Sequence, residues 1–317
     1  MTNTTFRKSF CVLVAGLALA LPSVPVSAAE LFAPGVTKDS GWYDTNKVFD
    51  SQDSNLCWAA TAANVIAWWM DNYENGGGDL SKISDRSNNQ IFQKFKENWN
   101  NVGYNNVDGV CWYFTGKFST GTEPEELKNS STGGYLSDIE GVGGRNPWNI
   151  MNGDFKYWGS EITGQTFVND MSGSYFSDQP LYSYESFSQT ILSQLSQGVS
   201  MLSVHKINTT VGSSGHSITL WGCEYDEETN LVTKIYVTDS DDASRSQGND
   251  GLKEYRIIRA TSGTGVMMSD YWYGNEQYGR ITSSAMMYAT YIPEPSAFGL
   301  IAGVMSIVSV VSRRRRK

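Results

Sequence analysis

"SNLCWAATAANVIAWW" spans Ser54–Trp69 and sets one cysteine at the head of a charge-free run. No charge interrupts 57–73 before Asp71, and Ala59, Ala60, Ala62, Ala63, Val65, Ile66, Trp68 and Trp69 surround the helical axis. A helix apolar on all sides belongs inside a protein, and Glu74-Asn75-Gly76-Gly77-Gly78 ends it. Cys57 then opens the helix, where the dipole and free amides lower a thiol's pKa. Its own N–H lacks an intrahelical partner there and is free to face an oxyanion. Taken alone, Cys57 reads more readily as a small buried side chain, because free cysteine is among the most buried residue types.

Downstream of this helix, a second is expected over Asn89–Trp99 and a third from Thr122, where Thr122 and Glu125 have capping-box spacing. The Gly/Ser/Asn-rich stretch 129–153 reads as a surface loop. Ser183–Gln197 reads as an amphipathic helix with Phe187, Ile191, Leu192 and Leu195 inward. Strands follow at Val199–His205, Ser217–Gly222, Lys234–Thr238, Glu254–Ile258 and Met286–Ile292. Helices first and strands later predict an α+β domain, a helix-rich half on an antiparallel sheet. A central cysteine-bearing helix before a histidine-bearing sheet is, by analogy, the papain-like layout.

Both ends read as addresses. Arg7 and Lys8, the apolar Phe10–Leu21 and Val26-Ser27-Ala28 have the three parts of a secretory signal, 1–28. Pro293-Glu294-Pro295, the apolar Ala297–Val311 and Arg313–Lys317 resemble, in that order, the PEP-CTERM sorting signal of Gram-negative bacteria. That resemblance implies tail recognition at the membrane and a secreted or surface destination, with membrane contact only transient. The body is then 29–292. The whole chain carries −9, and the cations of the two ends leave the body more acidic still. Nucleic-acid binding rests on clustered Lys and Arg, so an acidic body argues against it. Outside the signal remain Cys57, Cys111 and Cys223, an odd set that leaves at least one thiol unpaired. Cys111 and Cys223 form the one conceivable pair away from the helix start. With no CxxC and only His205 and His216, a zinc site is poorly supported.

A nucleophilic thiol needs a base and an orienting acid. His216 follows the glycine-bounded Val211–Gly215 and opens a strand, a place that faces a cleft; His205 ends a strand and suits a core histidine. Ile235–Asp241 closes a strand with Asp239 and Asp241 two residues apart, on one face of an extended chain. Asp239-Ser240-Asp241-Asp242 reads otherwise as a turn or a calcium loop. The EF-hand template fails, since Ala243 and Arg245 fall on ligand positions and no glycine stands sixth.

"GWYDTNKVF" (41–49), "LCWAATAANVIAWW" (56–69), "GHSITLWG" (215–222) and "IYVTDSDDAS" (235–244) resemble, in order and spacing, the streptococcal immunoglobulin-G-degrading cysteine endopeptidases. "QLSQGVSMLSVH" (194–205) is weakly similar, and 74–180 only faintly so. The resemblance implies a papain-like thiol protease acting on proteins, with immunoglobulin as substrate and no cofactor. It makes Cys57 the nucleophile, His216 the base and acid, Asp239 the orienting carboxylate and Asp241 an assisting acid. Lys47, otherwise an ordinary surface lysine, becomes the second oxyanion contact. One departure stands out: the family's glycine after the nucleophile is Trp58 here, a bulky change expected at the lip of the cleft. Two rivals share parts of this pattern. Transglutaminases and cell-wall amidases use the same acyl-enzyme chemistry, and a non-catalytic surface protein could bind through its aromatics.

Overall fold

The computed structural model describes residues 28–118, 122–139, 155–156, 183–206, 215–242, 250–259, 266–273 and 276–288. The signal segment up to 27, the sorting tail and the aromatics Trp148, Tyr157 and Trp158 lie outside them. Helix α1, Cys57–Asn75, carries the opening stretch, and Trp58 through Met70 are all buried. Helix α2, Asn88–Asn98, starts in a capping box between Ser87 and Gln90. Helix α3 is Asn106–Thr115 and helix α4 is Tyr184–Leu195, N-capped by Asn105 and Ser183 respectively. Phe187, Ile191 and Leu195 of α4 are buried as expected, whereas Leu192 is only half-buried.

No helix starts at Thr122. The Asn100 N–H donates to Glu126 O at 2.8 Å and the Lys128 N–H to Asn98 O at 2.8 Å. The exit of α2 thus takes the backbone groups that a helix would need for itself, in a strand-like bridge between Trp99 and Leu127. The third helix lies earlier, in α3.

Nine strands are described: β1 Ala28–Phe32, β2 Phe155–Lys156, β3 Gly198–Lys206, β4 Gly215–Asp226, β5 Leu231–Thr238, β6 Lys253–Arg259, β7 Val266–Met268, β8 Trp272–Tyr273 and β9 Glu276–Tyr288. All pairings are antiparallel, and β4-β3-β9-β7-β6-β5 closes on itself through a β4–β5 ladder. β1 pairs with the second half of β4, beyond the part that meets β3. β9 begins well before the expected Met286. Register shifts where β9 meets β3 break its alternation, and Gly279 sits at one of them with φ +123°. A bulge of this kind hides the period-2 pattern.

The domain is therefore α+β with the papain-like arrangement. Helix α1 packs on β4 and β3 on one side and on α2 and α3 on the other. No described helix is long and apolar enough to cross a membrane. Part of the expected surface loop is anchored, since Leu136 and Ile139 are buried; 140–153 lies outside the described residues except in sequence.

Candidate active site

Cys57 is the first residue of α1, and the N-cap, Leu56, makes no side-chain cap bond. The first turn holds no acidic residue, so nothing nearby on the helix offsets the dipole at the thiol. The helix is fixed against the sheet two turns further on. Asn64, on the same helical face as Cys57, donates Nδ2 to Thr219 Oγ1 at 3.0 Å and accepts from Thr45 Oγ1 at 2.6 Å. Asn88 of α2 donates to Thr45 Oγ1 at 2.9 Å, and Thr238 Oγ1 accepts from Trp221 Nε1 while donating to Tyr43 O, both at 2.8 Å. This buried network ties α1 to β4, β5 and the 43–47 segment, which are the elements bearing the other candidate residues.

His216 pairs with Val204 across β3 and β4, and His205 with Gly215. Neighbouring positions in a strand face opposite ways, so the two histidines lie on different faces. Only His216 reaches Cys57. Its Nε2 is 2.6 Å from Asp239 Oδ1, which leaves the other ring nitrogen for the thiol. Asp239 also accepts from Tyr271 Oη at 2.6 Å and from the Asp241 N–H at 3.0 Å. Tyr271 was not anticipated; it lies in a short turn after β7 with no pattern to announce it.

Lys47 is buried at 2% exposure. Its Nζ lies 2.7 Å from Asp241 Oδ1 and 2.9 Å from Ser54 O, and 4.7 Å above the Phe49 ring. Two of its three N–H donors are thus engaged, with one left over. Asp241 Oδ2 is 3.9 Å from His216 Nδ1, too far for a hydrogen bond, and accepts none elsewhere among the described residues.

The charges point one way. Burial alone would push the Cys57 thiol up, but the His216 charge and hydrogen bond, with the Lys47 ammonium, hold it below its usual range. Burial likewise opposes protonation of His216, yet Asp239 first, then Cys57 and Asp241, raise it well above an ordinary imidazole. Asp239, despite its own burial, is held down to about 2 by His216 and by the donors from Tyr271 and Asp241. The arrangement favours a thiolate–imidazolium pair, the reactive form of a cysteine nucleophile.

Trp58 does not stand at the lip of the cleft. It is 1% exposed, packs edge-on against Phe95, Trp99 and Tyr104, and donates Nε1 to Val102 O at 2.9 Å. One step along a helix rotates the side chain by about 100°, which turns Trp58 between α1, α2 and α3 while Cys57 faces the sheet. Trp99, Trp112, Tyr113 and Phe114 are core as well. Cys111 and Cys223 are both free and buried, not paired; burial pushes Cys223 up to about 12 and Cys111 higher still, which leaves them inert.

Comparison with known proteins points to a family. The chain is 27% identical over 259 residues to a protein named "IgM protease" from Streptococcus suis (strain P1/7), covering 70% of this chain and 19% of that one. This chain therefore spans under a fifth of the relative's length. The profile described as Mac 1 matches residues 31–91 and 167–275, more than half of the chain and both halves of the site. The chain belongs to the Mac 1 family.

Proposed function

We propose that this protein is an exported cysteine endopeptidase that cuts peptide bonds in immunoglobulin-type proteins. One observation carries the reading: Cys57 at an uncapped helix start meets His216, whose far nitrogen is 2.6 Å from Asp239. In this mechanism the Cys57 thiolate adds to the peptide carbonyl. The Cys57 N–H and the remaining Lys47 N–H stabilise the oxyanion. His216 gives its proton to the leaving amine and then takes one from the water that hydrolyses the thioester. Asp239 holds the imidazole in register, and Asp241 positions Lys47. Immunoglobulin as substrate is supported by the family and by the name of the Streptococcus suis relative. The 1–28 signal and the 293–317 tail support a secreted or surface location in a Gram-negative bacterium, with a sorting machinery as partner and 29–292 as the working domain.

The test incubates the purified chain with a panel of immunoglobulin M, G and A and maps any cut by mass spectrometry. Cleavage is expected, with Cys57→Ala and His216→Ala abolishing it and His205→Ala retaining it. Full activity in Cys57→Ala refutes the mechanism. Activity lost in His205→Ala but kept in His216→Ala refutes the choice of base.

A further inference from the structure

We propose that Asp44, Asp242 and Asp250 form a divalent-cation site, selective for calcium, beside the Cys57 centre. The three come from separate segments. Asp44 lies in the stretch that delivers Lys47, Asp242 in the turn that delivers Asp239 and Asp241, and Asp250 just before β6. One oxygen of each lies within 4.8 Å of the other two. A calcium ion at 2.3–2.6 Å from its ligands sets those ligands no more than about 5 Å apart, so the spacing fits.

Acidic clusters are common on surfaces, but Asp242 is not on the surface. It is 2% exposed and its Oδ1 accepts no hydrogen bond. Among the described residues its Oδ2 faces only the Lys253 ammonium, at 3.2 Å. Asp44 Oδ1 is also buried without a donor, although Asp44 Oδ2 accepts from the Gly251 N–H at 3.0 Å. Asn46 donates Nδ2 to Asp250 Oδ1 at 2.8 Å, and its own Oδ1 is a further buried, unpaired oxygen. A buried carboxylate oxygen without a partner is costly. Among the described residues three carboxylates face one ammonium, and a divalent cation supplies the missing positive charge. Among the described residues the ligands are all hard oxygens, with no thiolate or imidazole, which selects calcium over zinc. A loop template misses such a site because its ligands are not contiguous.

The test needs no substrate. Full-length protein is stripped with EDTA, dialysed, and titrated with calcium chloride by calorimetry and thermal unfolding. Saturable binding near one ion per chain is expected, with a Tm rise of about 5–10 °C at about 10 mM calcium if affinity matches extracellular modules. Magnesium at the same concentration is expected to give a smaller rise. Asp242→Asn, and separately the exposed Asp250→Asn, are expected to weaken calcium binding at least tenfold while circular dichroism stays native. No saturable calcium binding, equal response to magnesium, or unchanged binding in the folded Asp250→Asn variant overturns the proposal.

Discussion

Trp58→Ala separates a core role for this residue from a role in choosing substrate. The side chain is 1% exposed, with ring centroids 5.6, 4.9 and 5.6 Å from Phe95, Trp99 and Tyr104. Truncating such a buried tryptophan costs about 3–5 kcal/mol, and it strands the Val102 carbonyl that accepts its N–H. With a urea m-value of about 2 kcal/mol/M, the midpoint falls by about 1.5–2.5 M. A second substitution identifies the cause. A Cβ on Gly109 of α3 would lie 2.8 Å from Trp58 Cζ3. Gly109→Ala therefore meets an overpacking cost of about 1–3 kcal/mol, which outweighs the ~1 kcal/mol that alanine gains in a helix. In the Trp58→Ala background the Trp58 contacts are gone and Phe95 Cε1 at 3.2 Å remains, so the cost of Gly109→Ala is expected to shrink. Urea titration of the four proteins in the cycle measures the coupling. A Trp58→Ala loss below about 1 kcal/mol, or no coupling to Gly109, would refute the packing account. So would a changed cleavage position at an unchanged midpoint.

Lys47→Met removes one of the charges that lower the Cys57 thiol, so iodoacetamide labelling of Cys57 is expected to slow below neutral pH, its titration moving upward; an unchanged pH profile contradicts this. The same change leaves Asp241 buried without its 2.7 Å partner, which costs about 3–5 kcal/mol, read in the same urea titration. Tyr271→Phe deletes the donor to Asp239 Oδ2, a hydrogen bond to a charged group worth about 1.5–3 kcal/mol. Asp239 is held near 2 when folded, against about 3.9 unfolded. Its contribution to stability is full above the unfolded value and is lost as pH falls towards 2. Raising the folded value moves acid unfolding to higher pH, and an unmoved midpoint by circular dichroism refutes the role. His216 runs the other way: its raised pKa stabilises fully below about 6.5 and the gain is lost on the alkaline side.

Much of this could be read directly because strong periodicity and chemistry coincide. The all-apolar run after Cys57 has one sensible place, and the two-residue spacing of Asp239 and Asp241 follows from the end of a strand. The failures have local causes. Helix α3 carries Gly109 and the poor helix formers Val107, Val110, Trp112, Tyr113, Phe114 and Thr115, so burial rather than propensity forms it. Thr122 and Glu125 have capping spacing, but the chain there pairs with the exit of α2. In β9 the bulges scramble alternation. Tyr271 and the Asp44–Asp242–Asp250 cluster depend on contacts between distant segments, which spacing along the chain does not encode.

Such distance has a bearing on when the protein becomes dangerous. Cys57 and Lys47 belong to the first part of the chain, whereas His216 sits on β4 and Asp239 just after β5, in the ring that closes only once β9 is in place. A growing chain holds the thiol without its imidazole, and an unfolded one without a helix start to polarise it. Chemical competence therefore arrives last, with closure of the strand ring, and the fold itself acts as the timer.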